Sequence, residues 1–203
     1  MTILALETST PNASLAVWRE GAVVREWSFQ SDRAHNSLLF APLAEALDLA
    51  EPDLIAVGTG PGSYAGVRVA ISAALGLALA KGVPLVGWPS LTAFDVPGDG
   101  VLIGDARRGG YFLAELSGAR LVGAPEIVAA DDLVRRTDGR AVWTFDPVPG
   151  VAGAVVVTPT ASWLARRVAA LSESERSALA TAAPEPLYLR APFITAPRSR
   201  IGG

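Results

Sequence analysis

The chain has 203 residues, half of them apolar, and a formal net charge of −3. That length suits one domain or two small lobes around a cleft, with ample apolar residues for a core. The lack of cysteine excludes a disulfide framework and thiolate metal sites, and the acidic balance argues against a stand-alone nucleic-acid binder, which needs clustered Lys and Arg. The opening MTILALETST has no basic segment followed by a long apolar one, so no secretory signal is read and a cytoplasmic protein is expected.

In chain order, Ile3 to Leu6 is an apolar run that ends in a polar turn, Glu7 to Asn12. Ser14 to Trp18 and Ala22 to Ser28 read as two further strands joined at Glu20-Gly21, giving an antiparallel meander. Asp32 can cap a helix that runs to about Leu49, with Leu39, Leu43, Leu47 and Ala50 on one stripe and Pro42 bending it. Leu54 to Gly58 and Leu85 to Gly87 are strands on either side of a long apolar helix, and Ser90 can cap a short helix over Leu91 to Asp95. Pro97 to Gly100 is the best boundary. Beyond it a strand ending in Asp105, a turn at Arg107 to Gly110 and a strand at Tyr111 to Leu116 repeat the opening pattern in outline. A short helix from Asp131 or Asp132, strands near Ala141 to Phe145 and Val155 to Val157, and an amphipathic stretch from Thr160 to Leu171 precede a Pro- and Arg-rich tail.

The stretch GTGPGSYAGVRVAISAALGLALAK, Gly58 to Lys81, is the most informative one. Its glycines allow tight bending and close approach, and from Val69 to Ala80 it carries no charge. A helix apolar all round must be covered all round, yet this one falls short of the roughly 20 residues of a membrane span. One face can pack on a sheet, which leaves the other for a partner, and Gly76, Ala73, Ala74 and Ala80 would admit a second helix closely.

The glycine loop could cradle a phosphate, but it lacks the Lys-Ser or Lys-Thr of a Walker A loop, and no acid between Arg68 and Phe94 could hold a ribose. Ser63 as a helix cap and Arg68 as a carboxylate partner explain those residues without catalysis. A serine nucleophile would have only His35 as a base, and no cluster of metal ligands is read. Glu7 and Asp105, each ending a strand, could face a metal-nucleotide across a cleft or could simply be turn residues. Arg107-Arg108, Arg135-Arg136 and Arg166-Arg167 read as solvated pairs.

Taken together, ILALETST with SLAVW, RAHNSLLFAPL, IAVGTGPGSYAGVRVAISAALGLALA, GDARRGGYFLAEL and PLYLR resemble the TsaB (YeaZ) family over essentially the whole chain. The GPGS-aromatic-x-G-x-R segment is specific to that family and its relatives. The resemblance implies an α/β fold of two ribonuclease-H-like lobes, of the actin/Hsp70-like ATPase kind, with mixed sheets and packed helices. The lobes would be 1–96, carrying partner-binding helices, and a smaller 97–203.

The family role implied is a non-catalytic scaffold in the complex that installs threonylcarbamoyl on the adenosine next to the anticodon of tRNA. Its implied partners are TsaD, which carries the metal, nucleotide and transfer chemistry, the ATPase TsaE, and a second copy of itself when alone. It would touch tRNA only through the complex, span no membrane, and bind no metal or cofactor alone, with ATP at most at a shared interface. Interface residues implied on the first-lobe helices are His35, Leu38, Leu39, Pro42, Val67, Arg68, Ile71, Ala74, Leu75 and Ala78. Ala74→Arg or Ala78→Arg is accordingly expected to abolish association and spare the fold. A vestigial nucleotide site would comprise Glu7, Thr8, Ser9, Gly60, Gly62, Ser63 and Asp105. Glu7 stands where relatives usually have Asp and Ala65 where many have Thr, which weakens nucleotide binding. The alternative is a self-contained nucleotide hydrolase or a glycoprotease-like peptidase.

Overall fold

A strand covered on both faces reads as an unbroken apolar run rather than an alternation. TILALE and LIAVG are such runs, and every residue of β1 (Thr2–Glu7) and β4 (Leu54–Gly58) is buried. The computed structural model describes residues 1–30, 35–107 and 109–190. In it β1 and β4 pair in parallel at the centre of a five-stranded sheet. β2 (Asn12–Arg19) and β3 (Ala22–Gln30) extend that sheet as the predicted antiparallel meander, and β5 (Leu85–Trp88) closes the other edge.

One face of the sheet is covered by α1 (His35–Leu49) and α2 (Tyr64–Lys81). Asp32, expected to cap the first of these, lies outside the described residues. Ser63 does cap α2, its Oγ accepting from the Gly66 N–H at 3.2 Å, and Gly82 ends the helix in the left-handed region at φ 67°. α2 is long and apolar enough to cross a membrane by length and composition alone, at 18 residues and mean hydropathy 1.3. Here it is a core helix, with Val67, Ala70, Ile71, Ala74 and Ala78 packed on Leu4, Leu6, Ile55 and Val57.

The second sheet repeats the plan of the first. β6 (Gly100–Asp105) takes the part of β1, with β7 (Tyr111–Ser117) antiparallel beside it. β10 (Val142–Thr144) and β11 (Val155–Val156) follow in parallel on the other side. Two short strands missed in the sequence, β8 (Arg120–Leu121) and β9 (Glu126–Val128), both pair with β7 where the first sheet has β3. α3 (Ala130–Thr137) stands in the place of α1, but no helix joins β10 to β11, so this lobe lacks a counterpart of α2. Two mixed sheets with packed helices are thus present, as expected from the sequence.

The break at Pro97 to Gly100 does precede β6, but the cores trade elements across it. α4 (Ala161–Ala169), capped by Thr160, lays Ala161, Leu164, Ala165 and Val168 on the back of the first sheet, against Ile3, Ala5 and Ala56. Conversely, Leu91 and Phe94 enter the core of the second lobe. Ser90 begins only a 3-10 turn, Ser90–Thr92, in place of the expected short helix. Arg167 is not a solvated residue: it donates to the carbonyls of Thr92 and Phe94 at 2.9 and 2.7 Å and fastens α4 to that turn. α5 (Glu173–Leu179), also missed, carries a Ser172/Glu175 capping box.

Candidate functional site

Open α/β sheets receive ligands outside the carboxyl ends of their strands. In the first lobe that edge is formed by the turn after β1, Glu7-Thr8-Ser9, and the loop after β4, Thr59 to Ser63. The two lie against each other with nothing between. A Cβ on Gly62 would stand 2.8 Å from that of Ser9, and one on Gly66 would collide with the Thr8 carbonyl, so only glycine admits this approach. The Ser63 N–H donates to the Ser9 carbonyl at 2.7 Å, and the Thr8 hydroxyl to the Gly66 carbonyl at 2.8 Å.

A phosphate cradle needs free N–H groups, and four of those in this loop and the first turn of α2 are committed. Thr59 donates to the Trp88 carbonyl at 2.9 Å, and Gly60 to the Ser90 hydroxyl at 3.0 Å. Ser63 and Gly66 are likewise bonded, to the Ser9 carbonyl and to the capping hydroxyl. Among the residues of the supposed nucleotide site, Thr8, Ser9, Gly60, Gly62 and Ser63 therefore come together as a closed contact between two turns. The glycines serve that contact.

Glu7 sits beneath it, 1% exposed. Its Oε1 accepts the Ser9 N–H at 2.7 Å, while Oε2 is buried without a hydrogen-bond partner. Gly58 makes room for this carboxyl, since a Cβ there would lie 2.7 Å from Glu7 Cδ and 2.8 Å from Ser90 Oγ. Burial pushes the Glu7 pKa above the ordinary carboxylate value, against the hydrogen bonds from Ser9 that pull it down. The carboxyl is thus sealed from solvent beneath the two turns. Among the described residues no three His, Asp or Glu side chains gather as a metal site. Asp105 has the same local geometry, accepting the Arg107 N–H at 2.7 Å, but its side chain is 54% exposed and lies near the Arg107 guanidinium. Both acids end strands, one sealed and one open.

The second candidate site is the outer face of α1 and α2, and here the sequence reading needs correction. Leu39, Val67, Ile71, Ala74 and Ala78 are all core residues of the first lobe, turned toward the sheet. The side that would meet a partner is the opposite one. On α2 it carries Tyr64, Ala65, Arg68, Ser72, Gly76, Leu79 and Ala80, with Leu75 partly exposed. On α1 the exposed residues are Leu38, Phe40, Ala41, Ala44, Glu45, Asp48 and Leu49, with Pro42 partly exposed. The His35 side chain lies outside the described set. Leu79 is 76% exposed and Phe40 56%, and a Cβ on Gly76 would meet nothing within 4 Å. Among the described residues Arg68 has no carboxylate partner: its Nε donates to the Tyr188 hydroxyl at 3.0 Å and its guanidinium lies 4.2 Å from the Tyr64 ring centroid. An 18-residue helix with so little charge hides the choice of face, because both sides read as core.

Two mixed sheets of one plan, joined by exchanged helices and a glycine-bound strand end, define a two-lobed actin-like protein. Residues 30–134 match the family model described as TsaD, tRNA N6-adenosine threonylcarbamoyltransferase. An uncharacterized protein of Mycobacterium tuberculosis (strain H37Rv) is 33% identical over 94% of this chain and 92% of its own length. The Bacillus subtilis tRNA threonylcarbamoyladenosine biosynthesis protein TsaB is 38% identical over 54% of this chain and 52% of its own. A Pseudomonas aeruginosa crystal structure, of a protein with similarity to the peptidase YeaZ, superposes with a TM-score of 0.70 at 25% identity. It covers 93% of this chain and 99% of that one. The chain belongs to the TsaD/TsaB family.

Proposed function

We propose that this chain works in tRNA threonylcarbamoyladenosine biosynthesis as a non-catalytic, cytoplasmic subunit that docks on TsaD. The observation that carries the reading is the uncovered outer face of α1 and α2, which exposes Leu38, Phe40 and Leu79, and Leu75 in part, together with the small residues Ala41, Gly76 and Ala80. Small residues let a second helix approach closely while large apolar ones at the edge exclude water. The partner that fits is another apolar helix pair, supplied by TsaD or, in its absence, by a second copy of this chain. The closed glycine loop supports a chain that brings no nucleotide of its own. ATP, TsaE and tRNA would then be met through the assembly.

The test is light scattering of the purified chain, alone and mixed with TsaD, for wild type and Leu79→Arg. A wild-type heterodimer that Leu79→Arg abolishes, at unchanged stability, is the expected result. A wild-type chain indifferent to TsaD would overturn the reading. Ala74→Arg is unsuited to this experiment, because it would strand a cation in the core at a cost of about 3–5 kcal/mol.

A further inference from the structure

We propose that residues 184–190 form a strap: the chain's own late segment lies across the strand-end crevice and holds the glycine loop and the start of α2 in place. Its sequence, PEPLYLR, has prolines at two of its first three positions, which favours extended backbone before the anchors begin. In an extended chain successive side chains point to opposite sides. Leu187 and Leu189 accordingly pack on the second-lobe core of Leu91, Phe94 and Phe112, while Tyr188 between them turns to α2.

Contacts run along its whole length and reach both lobes. Pro184 presses on Gly87, where a Cβ would come within 2.7 Å of the proline ring. The Leu187 N–H donates to the Thr59 carbonyl at 2.8 Å, the first residue of the glycine loop. Tyr188 accepts from Arg68 and stands 5.8 Å from the Tyr64 ring, so the first turn of α2 is gripped from outside. Arg190 then extends over Gly110, in the turn between β6 and β7, where a Cβ would strike its guanidinium.

The strap therefore crosses the ends of β4 and β5 and arrives at the end of β6. That is the position ligands take in sheets of this kind, and here the chain provides the occupant. None of its contacts belongs to a helix or strand of its own, so the segment is held by anchors at both lobes rather than by a ladder. Because Tyr64 and Arg68 open the outer stripe of α2, the strap also sets one end of the docking face; that consequence alone rests on the function proposed above.

Amide hydrogen exchange on the isolated full chain tests the strap without reference to any partner. In Leu187→Asp, the amide at position 187 and those from Thr59 to Val67 should exchange at least about tenfold faster, with α3 unchanged. Release of the Leu187 amide with Thr59 to Val67 at wild-type rates would overturn the proposal. Should Leu187→Asp lose protection throughout, Tyr188→Ala decides, since that residue is exposed enough to leave the fold intact. Roughly two- to fivefold faster exchange confined to Tyr64 to Arg68 upholds the strap, and unchanged rates there overturn it.

Discussion

Glu7 closes the leading strand of the first sheet and Asp105 that of the second, and each accepts the N–H two residues on at 2.7 Å. From that common geometry the two regions diverge. Around Glu7 the chain adds Gly58, Gly62 and Gly66, the hydroxyl of Ser90, the helix α2 and the strap, until the acid is sealed. Around Asp105, among the described residues, no helix joins β10 to β11, and the acid's side chain stays half-exposed beside Arg107. The lesson is that a repeated strand plan does not repeat a site. What converts a strand end into a site, or closes one, is the loop and helix after the neighbouring strand.

Steric substitutions give the largest expected test of that contrast. Gly62→Ala should destabilise the protein by about 1–3 kcal/mol in a denaturant titration, because its Cβ meets the Ser9 backbone. Gly98→Ala, with nothing within 4 Å, should stay within about 0.5 kcal/mol. Equal effects would mean that the first strand end is no more tightly closed than a linker.

The acids themselves sharpen the comparison through pH. With its folded pKa raised, Glu7 keeps a proton that the unfolded chain releases above about pH 4.5. Its contribution to stability is therefore full below that pH and is lost as pH rises toward the folded value. Glu7→Gln should flatten this decline and leave the protein more stable at neutral pH than wild type, as read from thermal unfolding at several pH values. Asp105→Asn should change stability by no more than about 0.5 kcal/mol at any of them.

The smallest effect belongs to the outer face of the second lobe. There Glu115 accepts from Arg140 at 3.0 Å, and Arg136 lies 3.6 Å away. The hydrogen bond from Arg140 holds the Glu115 pKa below its ordinary value, so its contribution is present above pH 4.5 and lost as pH falls through the folded pKa. Glu115→Gln should cost less than about 1 kcal/mol at neutral pH and weaken the acid limb of the stability profile. Glu7 and Glu115 thus contribute to the pH dependence of stability in opposite senses.

Local signals made much of this legible in the sequence. Buried runs marked the central strands, Ser63 and Thr160 marked their helix starts, and the glycine spacing marked a close approach. The recurrence at Asp105 pointed to the duplicated lobe. What stayed hidden was set by long-range contacts. Nothing local distinguishes Ala74 from Gly76 as core and surface, because α2 is apolar on both sides. Nor does Glu7 reveal its burial, which depends on Gly58 and Ser90, remote in sequence. β8 and β9 are too short for an alternation to register, and the PLYLR tail has no periodic partner until Thr59 and Arg68 are brought to it.

The exchange of α4 onto the first sheet has a consequence for synthesis on the ribosome. The back of that sheet, with Ile3, Ala5, Leu54, Ala56 and Val86, is complete as a sheet once β5 has been made, yet its cover ends at Ala169. At about 5–20 residues per second, the interval from Trp88 to Ala169 lasts on the order of 4–16 s. Throughout that time the nascent chain presents an apolar sheet face with no helix to cover it. The first lobe is thus first to be translated, yet it stays half-covered until α4, encoded beyond nearly the whole of the second sheet, has emerged.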